Sequence, residues 1–521
     1  MNRRFTQIDA DLKPISGQET LANKIRVIPA HRPFNLAVLS RIWIWGYLFV
    51  VGGAIFIIRR DWVYDDPFIT YRYASNLLHG SGLVYNPGER ILSTTSPLFA
   101  VVLAMLAPLW DNFPTLANLI SAFSIAAGGL LLYEIARQLD APIVSWTSLL
   151  LYPISTLLLN TIGSETPLYI ACCLASFAFY FRRNYPLTAI FAAAAVLTRP
   201  DGILVPALLC TDYLIRNRGS RGPVPWRSIA LFAVIVVPWF IFLWIYFGSP
   251  IPATLAAKQG QGSMAISSKF PQGIVNIAKT YLDSWYSWLQ AGLALTGCVY
   301  FALRARKWGL FLLWPVIYFA AYSLLGITSY FWYYAPLIPG FIVLIGLGIT
   351  AVTLGAGSLL GQRGISRPNA RSLSRGLPVF LLLIIAIPMG TDAYIGSKKI
   401  DSRYSIYRKA GIWLQKNTPA GSLVGTLEVG VIGYYSERPM VDFAGLLQPP
   451  VAAYLQQETT YDDAALLAVE HYHPRYIVLN EGSLKKLEKN YISNYCTLDK
   501  RFEGSRFGVR ANMAIFRCGF P

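Results

Sequence analysis

Two adjacent carboxylates, Asp65 and Asp66, follow the first apolar segment of the chain within a few residues. A carboxylate at such a place could act as a general base, which takes the proton of an attacking hydroxyl group in the transition state. A structural role is also open, because Asp before Pro67 suits a helix start, where the carboxylate caps free backbone N–H groups. One carboxylate is enough for a cap, whereas two adjacent ones repel each other, so the pair favours a chemical role.

Three basic residues in loops between apolar segments could bind an anionic group of a substrate. Arg199 lies between two short apolar blocks, where it either reaches the interface or clamps a phosphate, for which a planar guanidinium is well suited. Lys258, in a later loop, could bind the phosphate or stay solvated. Arg72 could pair with Asp65 or Asp66, or contact the same phosphate.

Glu165 and Tyr333 complete the set of candidate binding residues. Glu165 begins an apolar segment, where the helix dipole favours a carboxylate, but it could also orient an acceptor or bind a metal. A divalent cation could bind Asp65, Asp66 and Glu165 together, because hard cations prefer oxygen ligands. Tyr333 lies in the run YFWYY, which suits either an interfacial aromatic belt or stacking on a sugar ring or prenyl chain.

The composition of the chain indicates a membrane protein. Of the 521 residues, 54% are hydrophobic and only 14% are charged, whereas a soluble protein would have nearer a quarter charged residues. Apolar blocks of about spanning length recur, which predicts a polytopic α-helical protein with the lipid bilayer as a partner. The net charge of +18 comes mostly from short basic tracts between the blocks. The positive-inside rule explains these tracts, so we expect no nucleic-acid partner.

The distribution of basic residues predicts eleven transmembrane helices in the cytoplasmic membrane, with the N-terminus cytoplasmic and the C-terminus extracytoplasmic. The block at 96–110 is short and contains Pro97 and Pro108, and counting it as a span breaks the alternation of the loops. We therefore expect an interfacial or re-entrant helix there. The predicted spans are 42–58, 116–135, 144–163, 166–181, 186–198, 201–215, 228–247, 284–303, 309–325, 331–353 and 377–391.

Three regions follow from this organisation. Residues 1–40 form a cytoplasmic tail, and residues 41–391 form a transmembrane catalytic domain whose first outer loop covers 59–95. Residues 392–521 form an extracytoplasmic α/β domain, because short β-rich runs such as SLVGTL and RYIVLN alternate there with helical patterns.

Two local patterns refine these outer regions. Residues 68–79 have an amphipathic pattern with Arg72 on its polar side, which predicts a helix lying along the membrane surface. In the C-terminal domain, Cys496 and Cys518 could form a disulfide if the domain lies outside the cytoplasm.

The run DDPFITYRYASNLLHGSGLVYNPGERILSTTSPLF, at 65–99, resembles the first outer loop of bacterial glycosyltransferases with the GT-C fold. That superfamily includes protein O-mannosyltransferases and the lipid A aminoarabinose transferase, and the chain is most similar to terminal arabinofuranosyltransferases of mycobacterial cell walls. Other stretches agree in order along the chain, namely GSETPLY, LTRPDG, FGSPIPATLAAK, YFWYYAPLIP and EVGVIGYYSERPMVDFAGL.

The resemblance implies transfer of a sugar from a polyprenyl-phosphate donor to a hydroxyl group of a glycan, lipid or protein on the outer side of the membrane. It places Asp65 and Asp66 where the family has its catalytic base, although relatives usually have a small residue instead of Pro67. The alternative function is a transporter or flippase of lipid-linked sugars. That class predicts charges in mid-span and two similar halves, and the sequence shows neither.

Overall fold

The computed structural model describes residues 36–218, 224–362, 367–399 and 401–519. The chain divides into an N-terminal unit, 1–46, and a second unit, 47–521, which contains all the sites below. Of the predicted cytoplasmic tail, the structure describes only the residues from Leu36 onward, and these begin the first helix.

Helices make up most of the chain before the C-terminal region. They are α1 (Leu36–Arg59), α2 (Pro67–Leu78), α3 (Pro97–Leu106), α4 (Phe113–Gln138), α5 (Pro142–Leu151), α6 (Thr156–Leu159), α7 (Thr166–Phe181), α8 (Tyr185–Thr198), α9 (Leu204–Arg216), α10 (Trp226–Phe247), α11 (Ala253–Ser263), α12 (Phe270–Leu282), α13 (Trp285–Arg304), α14 (Gly309–Leu325), α15 (Ile338–Gln362) and α16 (Arg367–Ser397).

Six helical stretches in the described part of the chain are long and apolar enough to cross a membrane. They lie in α1, α4, α10, α14, α15 and α16 with their flanking turns, and four shorter apolar helices, α3, α5, α7 and α8, accompany them. A multi-pass membrane protein is therefore confirmed, whereas the number of eleven spans stays a prediction.

Two of the predicted blocks differ from a simple spanning helix. The block 144–163 is not one helix: α5 ends at Leu151 and the short α6 begins at Thr156, because Pro153 between them cannot donate a backbone hydrogen bond. The block 96–110 forms α3, whose 10 residues extend for only about 15 Å at about 1.5 Å per residue. As expected, this helix is too short to cross the bilayer.

The C-terminal region forms a five-stranded mixed sheet with helices, which confirms the α/β prediction. The strand order is β2-β1-β3-β5-β4; β1 pairs in parallel with β2 and β3, and β5 pairs antiparallel with β3 and β4. The strands are β1 (Val424–Thr426), β2 (Met440–Asp442), β3 (Tyr476–Asn480), β4 (Cys496–Phe502) and β5 (Met513–Cys518). The helices are α17 (Ser402–Asn417), α18 (Val431–Ser436), α19 (Pro449–Tyr454), α20 (Tyr461–Tyr472), α21 (Lys485–Leu487) and α22 (Ser493–Tyr495).

The predicted disulfide is present and joins Cys496 to Cys518. These two residues are directly opposite each other at one end of the β4–β5 ladder, so the bond closes the strand pair that ends the described chain.

The helix α2 packs against the C-terminal domain, and its predicted polar side is buried at Arg72 rather than exposed. Residues Pro67 to Ala74 are all buried, including Arg72. The reason is that α18 of the C-terminal domain packs against α2, so Phe68 and Ile432 belong to one buried apolar cluster. Burying side chains of this size stabilises the contact by about 1.5–3 kcal/mol each.

Candidate functional site

A polar cavity lies at the N-terminal end of α2. Its walls come from segments that are far apart in sequence: the start of α2, the loop before α3, the start of α7, one side of α11 and the loop after β2. The lining residues are Tyr64, Asp66, Pro67, Ile69, Thr70, Ser93, Thr94, Thr95, Ser164, Glu165, Thr166, Thr254, Lys258, Trp332 and Leu446.

Asp66 is the predicted catalytic residue that faces this cavity. It occupies the N-cap position of α2, but its carboxylate accepts no capping hydrogen bond. Pro67, the first residue of the helix, has no backbone N–H group. The first free N–H groups, which follow it, donate hydrogen bonds to the backbone carbonyls of Asp65 and Asp66 instead. The carboxylate, whose side chain is 34% exposed, lies 3.4 Å from Nζ of Lys258. It is therefore available to a substrate in the cavity.

Asp65 faces the opposite way, towards the C-terminal domain. Its two carboxylate oxygens accept hydrogen bonds from the N–H groups of Val431 at 2.8 Å and Gly430 at 3.2 Å. Only glycine fits at position 430, since a Cβ there would lie 2.1 Å from the carbonyl oxygen of Asp65. Burial, and next the charge of Glu428, raise the pKa of Asp65 well above its ordinary value. The two adjacent carboxylates thus have different surroundings.

Lys258 is buried, with 7% of its surface exposed, so the interpretation as a solvated loop lysine is wrong. Its ammonium lies 5.1–5.4 Å from the ring centres of Tyr330, Trp332 and Tyr333, an arrangement that favours a cation. Burial alone would lower the pKa of Lys258, but Tyr333 and Asp66 raise it above the ordinary value. The aromatic run therefore packs around the ammonium of Lys258. The sequence analysis, which considered an interfacial belt or stacking on a sugar ring or prenyl chain, did not predict this contact.

Arg199 is the centre of a second buried ionic cluster. Its guanidinium donates two hydrogen bonds of 3.1 Å to Asp201 and one of 2.6 Å to the hydroxyl of Tyr322, and it lies 3.8 Å from Glu165. Arg199 is buried rather than extended towards the membrane surface, so the snorkelling interpretation is wrong. Because two carboxylates already compensate its charge, it fits a phosphate clamp less well than Lys258 does.

Glu165 links this ionic cluster to the polar cavity. It stands at the N-cap position of α7 without making a capping hydrogen bond. Burial raises the pKa of Glu165, and the charges of Arg199 and then Lys258 partly offset that effect. Glu165 is therefore placed between the two cations, on the wall that the polar cavity shares with its neighbour.

A larger cavity adjoins the polar one, and both are lined by Thr95, Glu165, Thr254, Lys258 and Trp332. Apart from the ionic cluster and the tyrosines Tyr322 and Tyr333, its other walls are apolar: Phe240, Pro250, Ile251, Pro252, Leu255, Leu325 and Ile327. A molecule with a polar head and a hydrocarbon tail could therefore lie across both cavities, with its anionic group at Lys258.

Arg72 contributes nothing to either cavity, so its predicted contact with a carboxylate or phosphate is wrong. Its guanidinium donates to three backbone carbonyls, those of Tyr85 at 2.9 Å, Gly433 at 2.5 Å and Arg438 at 2.6 Å. Two of these acceptors belong to the C-terminal domain. Arg72 therefore fixes that domain to α2.

The predicted metal ligands do not form a cluster. No group of three or more His, Cys, Asp or Glu side chains in the described ranges could hold a metal ion. Asp65 faces Gly430 and Val431, and the ammonium of Lys258 lies beside Asp66. The oxygen atoms that a hard cation would need are not brought together.

The sequence analysis missed the hydroxyl groups of the cavity wall. Ser93, Thr94 and Thr95 belong to the run ILSTTSP, within the stretch that resembles GT-C enzymes, and Thr254 precedes Lys258 on α11. Several clustered hydroxyls in a family-like stretch were the available signal.

Comparison with known proteins connects this architecture to glycosyltransferases. A family model described as a domain of unknown function, DUF8728, matches residues 398–516. The chain is 26% identical over 249 residues to the terminal beta-(1->2)-arabinofuranosyltransferase of Mycobacterium tuberculosis, a match that covers 42% of this chain and only 38% of the relative.

The fold is similar to two solved GT-C structures. The apo structure of ArnT from Cupriavidus metallidurans matches with a TM-score of 0.57 and 15% identity, over 92% of this chain and 98% of that one. The oligosaccharyltransferase AglB from Archaeoglobus fulgidus, in complex with an inhibitory peptide and a dolichol-phosphate, matches with a TM-score of 0.57 and 12% identity, over 90% and 74%. The predicted resemblance to GT-C glycosyltransferases is thus confirmed.

Proposed function

We propose that this protein is a membrane glycosyltransferase that moves a sugar from a polyprenyl-phosphate donor to a hydroxyl group of an extracytoplasmic glycan, lipid or protein. One observation supports this above all: Asp66 and Lys258 lie 3.4 Å apart where a polar cavity meets a largely apolar one. A lipid-linked sugar has the matching order of parts, with its phosphate between a polar ring and a hydrocarbon chain. The ArnT structure bound to undecaprenyl phosphate has the same fold, with a TM-score of 0.53.

The reaction follows from the placement of the two charges. The carboxylate of Asp66 takes the proton of the acceptor hydroxyl as its oxygen forms a bond to the anomeric carbon of the donor. The bond between that carbon and the phosphate oxygen breaks, and polyprenyl phosphate leaves with the electron pair. The ammonium of Lys258 stabilises the negative charge that develops on the phosphate. The proton on Asp66 then passes to water.

Two observations support an outward-facing site. Leu446 of the C-terminal domain lines the polar cavity, so the cavity lies on the same side of the membrane as that domain. The domain contains the Cys496–Cys518 disulfide, and such bonds persist in oxidising compartments outside the cytoplasm. We therefore place the C-terminal domain outside the cytoplasm. With the odd number of eleven predicted spans, the N-terminus then lies in the cytoplasm.

The test is sugar transfer by membranes that contain the full chain, with a panel of radiolabelled polyprenyl-phosphate sugars and envelope glycan and lipid as acceptors. We expect Asp66→Asn to lower the rate by roughly 10²–10⁴-fold, the usual contribution of a general base. The matched control is Asp61→Asn, since Asp61 lies in the same loop but is exposed.

Equal rates for wild type and Asp66→Asn would remove Asp66 from the chemistry. Movement of intact labelled donor across the membrane of sealed vesicles, with no transfer of sugar from any donor, would instead favour the transporter alternative.

A further inference from the structure

Many of the side chains that line the polar cavity carry hydroxyl groups. Four of them already have partners: Thr70 and Thr94 share a hydrogen bond with each other, and Ser164 donates to the carbonyl of Thr161. Thr166 accepts a hydrogen bond from Arg199. The hydroxyl groups of these residues therefore do not require a hydrogen bond from a ligand.

Ser93 and Thr254 are different. Both line the cavity and are 2% and 3% exposed, yet neither side-chain oxygen has a hydrogen-bond partner among the described residues. Buried hydroxyl groups in folded proteins almost always have a partner, and an unsatisfied one calls for an explanation. Two such groups in the wall of one cavity indicate that a ligand supplies the missing partners.

The backbone holds Ser93 and Thr254 close to each other in space. The N–H of Ala253 donates a hydrogen bond of 2.8 Å to the carbonyl of Leu92, so the residues that precede Thr254 and Ser93 are hydrogen-bonded to each other. The N–H of Ser93 donates to the hydroxyl of Tyr73, also at 2.8 Å. The pair is therefore preorganised and lies on elements fixed by other contacts.

We infer that Ser93 and Thr254 bind hydroxyl groups of the donor sugar and thereby determine which sugar the protein accepts. A hydroxyl side chain can donate and accept at once, which matches the hydroxyls of an uncharged sugar ring. A charged sugar substituent would require a free counter-charge. Of the charged residues that line this cavity, Lys258 and Asp66 are assigned to the phosphate and the acceptor hydroxyl, and Glu165 lies 3.8 Å from Arg199. This inference rests on the proposed function, because it assigns the sugar subsite of the same cavity.

The experiment measures transfer from the donor that wild type uses. We expect Thr254→Val and Ser93→Ala each to lower kcat/KM for that donor by about tenfold, the effect of losing one neutral hydrogen bond. Thr254→Ser keeps the hydroxyl and should restore most of the kcat/KM that Thr254→Val loses. Inhibition by undecaprenyl phosphate without sugar should be the same for all variants, because the lost contact is to the sugar alone.

A matched control is Thr353→Val, since Thr353 is a buried threonine of α15 whose hydroxyl donates to the carbonyl of Ile349. It should leave kcat/KM unchanged. Each variant is first compared with wild type by its thermal unfolding midpoint, so that a folding defect is not mistaken for lost binding.

Deoxy analogues of the donor identify the contact. Wild type should lose about tenfold in kcat/KM when the sugar hydroxyl that faces Thr254 is missing, whereas Thr254→Val should lose nothing further with that analogue. Two results would overturn this inference alone. One is that the kcat/KM losses from Thr254→Val and from the deoxy analogue add fully at every sugar position. The other is that wild type is active and Thr254→Val and Ser93→Ala have the same kcat/KM as wild type. A wild type that transfers sugar from no donor would overturn the proposed function, and this inference with it.

Discussion

The first outer loop and α2, with α11 beside them, present two sets of polar groups that differ in how completely they are hydrogen-bonded. We call one the docking face: Asp65, Arg72, Tyr85 and Asn86, which bind the backbone of residues 429–440. The other is the cavity face, formed by Asp66, Ser93 and Thr254. The donors and acceptors of the docking face have partners, whereas the cavity face contains two orphan hydroxyls and a partly exposed carboxylate.

The docking face is bonded almost entirely to main-chain groups. The hydroxyl of Tyr85 donates to the carbonyl of Val429 at 2.5 Å, and the Asn86 side chain both donates to and accepts from Met440 at 2.9 Å. Main-chain contacts of this kind fix the position of the side chains that make them. The difference shows that adjacent residues of the same type can have different roles. Asp65 binds the C-terminal domain, whereas Asp66 faces the cavity in which we propose the substrate binds.

The sharpest test of this difference compares Asp65→Asn with Asp66→Asn. We expect Asp65→Asn to stay within about tenfold of the wild-type transfer rate, while Asp66→Asn falls by roughly 10²–10⁴-fold. Asp65→Asn should instead speed hydrogen exchange at Gly430 and Val431, because the N–H groups of these two residues donate hydrogen bonds to the Asp65 carboxylate. An inactive Asp65→Asn with normal exchange would reverse the two assignments.

Arg72→Met should weaken the docking face by about 3 kcal/mol, because the change leaves buried carbonyl groups without donors. The readout is faster hydrogen exchange in residues 431–438 of the full chain, together with a lower thermal midpoint. Arg506→Met is the control, since Arg506 is exposed on the C-terminal domain and pairs only with Glu503. If the two variants were equally stable, Arg72 would not be what fixes the C-terminal domain to α2.

A smaller effect is expected from pH, through Asp442 just beyond the docking face. Burial raises the pKa of Asp442 to about 7, although it accepts N–H groups from Ala444 and Leu446. The folded state therefore holds a proton that the unfolded state releases near pH 4, so stability falls as pH rises towards 7 and then levels off. Between pH 5 and pH 8 we expect a loss of about 2–3 kcal/mol.

The measurement is the thermal midpoint of the C-terminal domain in the full chain as a function of pH. Asp442→Asn should remove most of the slope, whereas Asp499→Asn, which changes a partly exposed residue paired with Arg517, should retain it. A midpoint that rises between pH 5 and pH 7 in wild type would show that the sign is opposite.

Much of the fold could be predicted from the sequence. Apolar blocks and basic tracts predicted a polytopic membrane protein with a C-terminal α/β domain, and the strands in SLVGTL and RYIVLN became β1 and β3. Helix pattern alone was less reliable at α2. Its amphipathic stripe predicted a surface helix, but the C-terminal domain covers the polar side with backbone acceptors for Arg72, and local periodicity contains no information about such a distant partner.

The sequence by itself determined the class of molecule and which residues could do chemistry, because hydropathy, charge and residue type are local properties of the chain. It predicted Asp65, Asp66, Arg72, Glu165, Arg199, Lys258 and Tyr333 near the substrate, and all but Asp65 and Arg72 line one of the two adjoining cavities. Only the tertiary structure decided which carboxylate faces Lys258 and which hydroxyls lack partners. Those properties depend on contacts between residues up to several hundred positions apart, such as Asp65 with Val431, and these exist only once the chain has folded.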